Sequence, residues 1–311
     1  MWQPDLDGVI STLAETDFPL EVLVETTAHC NLRCSMCPQK DMKREKGEIS
    51  FELFKKIVDE MAQKSPESRL WLAIMGEALL LGNKLIEMIK YAKVAGIKSI
   101  HLNTNANLLN KEMSLKLIES GIDEIIIGMD AFTKDTYEKI RVGGDFHKTR
   151  ENVEFLLSEK RQKQISRPKV IMQFIVMQVN ENELDDYKSY WLSRGAIIKV
   201  RPKIGWGTAV ETEDLTLPDS YRTFPCPMII RNIAIHWDGT VANCSDADYE
   251  GLYPAGNIND STIEEIWNGE LATRRKKHWE GDFSHPLCKS CKDWQTGRSI
   301  FYFPENYNEQ N

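Results

Sequence analysis

Six times between residues 21 and 202, a short run rich in Ile, Val and Leu gives way to a longer stretch with helical spacing of its apolar residues. The apolar runs lie at 21–27 (EVLVETT), 70–75, 98–104, 123–129, 169–177 and 196–202. Their length and near-continuous hydrophobicity suit strands covered on both faces. After Ser50, a side chain suited to cap a first helical turn, Phe51, Phe54, Ile57, Val58 and Met61 fall on one face. Similar stretches cover about 83–95, 110–120, 133–140 with 147–160, and 181–194. Such an alternation predicts an α/β fold with a parallel sheet, wound open or curled into part of a barrel. The alternation alone does not choose between the two.

Past residue 203 the pattern changes. Gly205, Gly207, Pro218, Pro225 and Pro227 punctuate a loop-rich region, and MIIRNIAIHWDGTVANC then reads as a hairpin turning at Asp238-Gly239. STIEEIWNGELATRRKKHW opens with a capping box, Ser261 to Glu264, and continues as a helix. The expected divisions are an N-terminal extension at 1–20, a first domain at 21–202, a second at 203–300 and a loose polar tail at 301–311. The second is too small to bury much core alone and calls for an added constraint.

A net charge of −8 offers no excess of cations to neutralise phosphates, which argues against a nucleic-acid partner. The basic run TRRKKHW at 273–279 reads as the solvated face of a helix. Apolar stretches are strand-sized, so no membrane span is expected, and the N-terminus lacks a basic start followed by an apolar run. The expected location is therefore the cytoplasm. Disulfides are rare there, yet the chain has seven cysteines, an odd number. They fall into two sets, Cys30, Cys34 and Cys37, then Cys226, Cys244, Cys288 and Cys291.

The first set is CNLRCSMC, with three residues between its first two cysteines and two between the last pair. Three thiolates on one loop suit three irons of a four-iron cluster and leave the fourth without a protein ligand. Zinc would need a fourth ligand, for which His29 and Asp41 are the nearby candidates. The loop follows the first strand at its C-terminal end, where α/β folds place their sites.

This motif, its place after the first strand and the six alternations resemble the radical S-adenosylmethionine superfamily. The resemblance implies a partial (β/α)6 TIM-like barrel. It also implies a cluster whose open iron is chelated by the methionine moiety of S-adenosylmethionine, cleaved to a 5′-deoxyadenosyl radical. MGEALL at 75–80 resembles the family's Gly-Gly-Glu-Pro segment, departing from it at Met75 and Ala78, and places Gly76 and Glu77 at the methionine amino group. NTNA at 103–106, with Ala106 in place of glycine, resembles the segment after strand three and brings in Asn103 and Asn105. GMDA at 128–131 brings Asp130 near the ribose, and KIRVGG at 139–144 makes Arg141 the partner of the methionine carboxylate. Met36 matches the apolar position beside the adenine.

In the second set, seventeen residues separate Cys226 from Cys244, forty-three separate Cys244 from Cys288, and two separate Cys288 from Cys291. Four thiolates ligate a four-iron cluster fully, or a structural zinc. The hairpin, the Gly-Asn-Ile turn and the Ile-Trp helix resemble the auxiliary-cluster domain of SPASM/twitch enzymes. Four cysteines match its shorter twitch form, with one auxiliary [4Fe-4S] cluster and two [4Fe-4S] clusters in all.

The best-matching twitch relatives oxidise a secondary alcohol of a sugar or aminocyclitol to a ketone, with an electron passing to the auxiliary cluster. That resemblance implies a small-molecule substrate and a reducing partner such as flavodoxin or ferredoxin. Arg201, Lys203 and Asp130 are the candidates for handling the alcohol, Arg201 as a positioning group because guanidinium stays charged. A peptide-modifying maturase and a radical epimerase or decarboxylase are the enzyme alternatives. About twenty residues before the first strand are too few for a leader-binding domain, which favours the small substrate. With all seven cysteines assigned, an epimerase would need another hydrogen donor such as Tyr187 or Tyr249. A non-catalytic zinc or iron–sulfur protein is the remaining alternative. Trp206, Trp237 and Trp294 are candidates for core or pocket.

Overall fold

The structure is a computed structural model that describes residues 4–305 and 307. Six parallel strands, β1 (Glu21–Val24), β2 (Arg69–Leu72), β3 (Ile100–Thr104), β4 (Glu124–Gly128), β5 (Lys169–Val176) and β6 (Ile197–Pro202), lie side by side in chain order. A short helix, α1 (Leu6–Ile10), precedes them. Helices α2 (Phe51–Lys64), α3 (Asn83–Ala95), α4 (Lys111–Ser120), α5 (Lys134–Ile140), α6 (Phe146–Gln162) and α7 (Leu184–Leu192) connect or follow the strands. Ser50 caps α2 by accepting from the Leu53 N–H at 3.0 Å, as its position before the apolar stripe predicts.

One side of each strand faces the helices. Val22, Val24, Leu70, Leu72, Ile100, Leu102, Ile125, Ile127, Val170, Met172, Phe174, Ile198 and Val200 join Phe54, Ile57, Leu85, Ile89, Leu117, Val153 and Trp191 in one core. Alternate residues line the other face. There Ile126, Ile171 and Ile197 form a separate apolar cluster with Trp71 and Tyr307. Just beyond it, Lys199 Nζ of β6 lies 5.8 Å from the Trp71 ring of β2. Three strands stand between β2 and β6 in the sheet. Contact across that gap requires the sheet to curl, which settles the choice left by the alternation. The barrel is partial, because β1 and β6 do not pair with each other.

The chain after β6 completes the edges. α8 (Pro227–Arg231) leads into β7 (Asn232–Ile235), which turns back as β8 (Thr240–Ala242) with Gly239 at φ +90°. The hairpin forms where DG predicts it, but residues 228–231 are helical, and β7 also pairs in parallel with β1. β9 (Gly256–Asn257), α9 (Ile263–Asn268) and α10 (Glu270–Trp279) follow. The capping box sits one residue later than expected: Thr262 Oγ1 accepts from the Glu265 N–H, and Glu265 accepts from the Thr262 N–H. β10 (Ile300–Tyr302) pairs antiparallel with β6, so residues 301 and 302 of the expected tail belong to the sheet. Residues 306 and 308–311 of that tail lie outside the described residues.

Two other expectations are corrected. β1 and β2 end three residues early, because the chain leaves the ladder there to enter the site. The run at 273–279 is not a uniformly solvated face: Arg274, Arg275 and His278 are buried, while Thr273, Lys276, Lys277 and Trp279 are exposed. Among the described residues no helix is long and apolar enough to cross a membrane.

Candidate active site and second cysteine site

The loop from β1 to α2 carries Cys30, Cys34 and Cys37 at the C-terminal end of the sheet. Its backbone is held from three sides. Arg33 and Ser35 donate their N–H groups to the carbonyls of Val142 and Ile140 at 2.9 Å each. Gln39 Nε2 donates to the Ala28 carbonyl at 2.9 Å, and the Glu77 N–H donates to the His29 carbonyl at 2.8 Å. Cys34 is buried and the other two are partly buried, packed with Leu32, Met36, Ile140, Ile175 and Met177. Burial pushes the Cys30 thiol up to about 11 and Cys37 up to about 12, and both feel the charge of Cys34. The thiols of Cys30 and Cys37 therefore stay protonated at neutral pH when free, so metal binding there must displace protons. The zinc alternative is not supported by position: His29 and Asp41 are exposed, and Asp41 pairs with Lys40.

Gly76 makes the loop's close approach possible. A Cβ there would stand 1.8 Å from the Thr27 carbonyl oxygen. Beside it Glu77 is buried, and Oε1 accepts from Thr104 Oγ1 at 2.7 Å and the Leu79 N–H at 3.1 Å. Oε2 accepts from the Asn105 N–H at 2.7 Å. Burial pushes this carboxyl up. Three bonds on a carboxylate leave one acceptor site free. Asn105 Nδ2 donates to Asn31 Oδ1 at 2.9 Å, tying β3's end to the cysteine loop. Among the described residues the buried Asn103 Oδ1 has no hydrogen-bond partner, an open acceptor on the concave face.

Asp130 is fully buried, with φ +59°. Its Oδ1 accepts from the Ile175 N–H at 2.7 Å, and its Oδ2 accepts from Arg141. Arg141 Nη1 then lies 3.5 Å from Cys34 Sγ. A Cβ on Gly128 would stand 2.2 Å from Arg141 Nη2, so glycine at the end of β4 admits the guanidinium. Asp130 thus fixes Arg141 beside the cysteines and has no exposed oxygen for an alcohol.

Cys226, Cys244, Cys288 and Cys291 are all buried; Cys226 and Cys244 pack with Phe224, Ile229 and Trp294. Burial pushes Cys226 up to about 12, with Cys288 beside it adding to the rise. Cys244 and Cys291 are raised further, each by burial first and by neighbouring carboxylates and cysteines next. Backbone N–H groups reach two of the sulfurs, Ala247 to Cys244 at 3.5 Å and Asp293 to Cys291 at 3.4 Å. Asp293 accepts from the N–H groups of Gly205 and Gly207 at 2.6 and 2.8 Å, binding the segment after β6 to this site. The neighbouring Trp206 donates from Nε1 to the Met36 carbonyl at 3.2 Å. The two cysteine sets are thereby joined through residues 205–207.

Arg201, at the end of β6, stands between them. Its Nε donates to Gln173 Oε1 at 3.1 Å. Its charge acts on Asp130 at the first set and on Asp246 and Asp293 at the second. Burial pushes Asp246 up to about 6, with Asp293 adding to the rise and Arg201 opposing it. Lys203 lies partly buried just beyond β6. Tyr187 is not on the concave face: it is fully buried on α7 against Phe174, and its hydroxyl donates to the Gln173 carbonyl. Tyr249 is partly buried and packs with Trp206 and Trp237 against Met75, and Trp294 lies in the second site. The sequence reading missed Asn31, Thr104 and Asp246. Asn31 sits inside the cysteine motif and Asp246 two residues after Cys244, so position alone was their available signal.

Comparison with known proteins agrees with this geometry. Residues 24–187 match the family model of the Radical SAM superfamily, and residues 226–292 match SPASM, an iron–sulfur cluster-binding domain. The tungsten-containing aldehyde ferredoxin oxidoreductase cofactor-modifying protein of Pyrococcus furiosus is 23% identical, over 86% of each chain. The crystal structure of BtrN in complex with AdoMet and 2-DOIA gives a TM-score of 0.62 at 20% identity, covering 89% of this chain and 94% of that one. SuiB of Streptococcus suis bound to precursor peptide SuiA gives 0.69 at 11% identity, covering 91% of this chain and 71% of that one. The chain belongs to the radical S-adenosylmethionine superfamily and carries a SPASM-type cluster-binding domain in its C-terminal part.

Proposed function

We propose that this enzyme takes a hydrogen atom from a small substrate and oxidises a secondary alcohol of a sugar or aminocyclitol to a ketone. The observation that carries the reading is the place of Arg201, whose charge acts on Asp130 at one cysteine set and on Asp246 and Asp293 at the other. Cys30, Cys34 and Cys37 would hold a four-iron cluster, which when bound and reduced would supply the electron for reductive cleavage of S-adenosylmethionine. Around it the chain offers complementary groups. The free acceptor site on Glu77 suits the methionine ammonium, and Arg141 suits its carboxylate. Asn103 Oδ1 suits a hydroxyl donor. Gly76 lets Glu77 come close to the loop, Asn105 braces it through Asn31, and Met36 adds an apolar wall.

Oxidation of a secondary alcohol removes one hydrogen atom, one proton and one electron. In this reading Arg201 and Asp246 would hold the alcohol, with Lys203 just past β6. The hydrogen atom would leave to the cofactor-derived radical and the electron to a cluster held by the four-cysteine site, while these polar groups would pass the proton to solvent. Two relatives support a small substrate. The Pyrococcus protein, named for modifying a cofactor, aligns along 86% of each chain, and BtrN was crystallised with 2-DOIA. A peptide substrate is the second reading, favoured by the 0.69 TM-score of SuiB bound to SuiA. Deuterium transfer into 5′-deoxyadenosine decides between them. Label arriving from a carbinol-deuterated aminocyclitol or polyol supports the first reading. Label arriving only from a deuterated peptide replaces it with the second.

A further inference from the structure

Two arginines are buried beside the second cysteine set without a carboxylate partner. Arg222 and Arg274 are 9% and 4% exposed, and among the described residues neither forms an ion pair with Asp or Glu. Asp248, whose charge acts on Arg274, is committed to the backbone N–H groups of Asn243, Leu252 and Tyr253. Arg222 instead stacks on Phe283 and donates from Nη1 to the Cys288 carbonyl at 2.9 Å. Arg274 Nη2 donates to Cys288 Sγ at 3.0 Å. A buried guanidinium requires a counter-charge. With Asp248 committed to the backbone, the group that takes a hydrogen bond from Arg274 is the Cys288 sulfur, an anion once it is a metal-bound thiolate.

A second donor converges on the same sulfur. His278, four residues after Arg274 on α10, accepts at Nδ1 from the Cys226 N–H at 3.3 Å. That bond assigns the ring proton to Nε2, which lies 3.4 Å from Cys288 Sγ. Cys288 therefore takes two side-chain donors, whereas Cys244 and Cys291 take one backbone N–H each.

We propose that Arg274 and His278 tune the four-cysteine site, holding the reduction potential of a cluster bound there above the value the thiolates alone would set. The inference rests on the reading of that site as an iron–sulfur centre. Reduction adds negative charge to the cluster, and donors to its sulfurs together with a fixed cation stabilise the reduced state more than the oxidised one. The pair acts through Cys288 and touches no substrate, so its role is positioning and electrostatic.

The test is an EPR-monitored redox titration of the full-length reconstituted chain, in a Cys30→Ala/Cys34→Ala/Cys37→Ala background so that only the second site carries iron. Arg274→Met and His278→Phe are each expected to shift the midpoint potential negative. Arg274→Lys and His278→Gln, which keep a donor, are expected to fall between those variants and the parent. If Arg274→Met fails to load iron, Arg274→Lys and His278→Phe carry the same comparison. Unchanged midpoints in iron-replete His278→Phe and in either arginine variant overturn the proposal. Failure of the underlying reading is separately visible: the parent background then shows no iron–sulfur signal before α10 is altered.

Discussion

Arg141 is pinned by Asp130, which accepts from its Nε at 2.9 Å and from Nη2 through the same oxygen, with no solvent exposure of the aspartate side chain. The pair turns a surface-type residue into a fixed cation beside Cys34. Asp130→Asn keeps an acceptor for the Ile175 N–H but leaves the guanidinium without its counter-charge. Breaking one half of such a buried pair costs about 3–5 kcal/mol. Chemical denaturation of the metal-free chain should show that loss, and equilibrium binding should show weaker S-adenosylmethionine affinity in the reconstituted variant. Unaltered stability would mean the pair is not a structural clamp.

Gly76→Ala places a methyl group 1.8 Å from the Thr27 carbonyl oxygen, and backbone on both sides must yield. Overpacking of this kind costs about 1–3 kcal/mol. Because the Thr27–Cys30 segment has to move, iron retention at the first set should fall. Iron analysis in a Cys288→Ala/Cys291→Ala background isolates that set, and full loading of the glycine variant there would contradict the close-packing argument.

Removing Cys288 and Cys291 takes two of the four buried cysteines from the second site. The expected phenotype is loss of product formation with continued, uncoupled release of 5′-deoxyadenosine, measured by chromatography. Product formed at the normal rate would show that the second site takes no part in electron flow.

Lys199 supplies a pH signature. Burial pulls its ammonium down from 10.5 to about 8, and Arg201 adds to the effect. Between those two pH values the unfolded chain holds the proton that the folded chain has released. Stability therefore rises with pH across that window and is lowest below it. Lys199→Met removes the cost, so urea melts should show the variant ahead of the wild type at pH 7, with the gap closing from about 8 to 10.5. A gap independent of pH would place Lys199 in contact with water.

Much of the barrel was legible because its signals are local. The apolar stripe after Ser50 needs only neighbours in the chain to declare itself, and α2 follows from it. The cysteine loop was legible for the same reason, since its three cysteines lie within eight residues. Non-local relations were hidden. Nothing in the alternation of residues 232–235 distinguishes a hairpin strand from one that also pairs with β1. The contact of Lys199 with Trp71 exists only once the sheet curls. Arg274 and His278 share a helical face with Leu271, yet charge outweighed that spacing in the reading of 273–279. The groups they meet, the Cys288 sulfur and the Cys226 N–H, lie across a turn or far off in sequence. The capping box slipped by one residue because Ser261 and Thr262 are adjacent and chemically equivalent as caps.

The central claim is that the loop after β1 holds a four-iron cluster with one iron free to bind S-adenosylmethionine. EPR of the dithionite-reduced, iron-replete Cys288→Ala/Cys291→Ala variant, recorded before and after adding S-adenosylmethionine, tests it most directly. The account predicts a four-iron signal whose g-values move when the cofactor is added. A preparation that retains only zinc, or a signal that stays where it was, would contradict it.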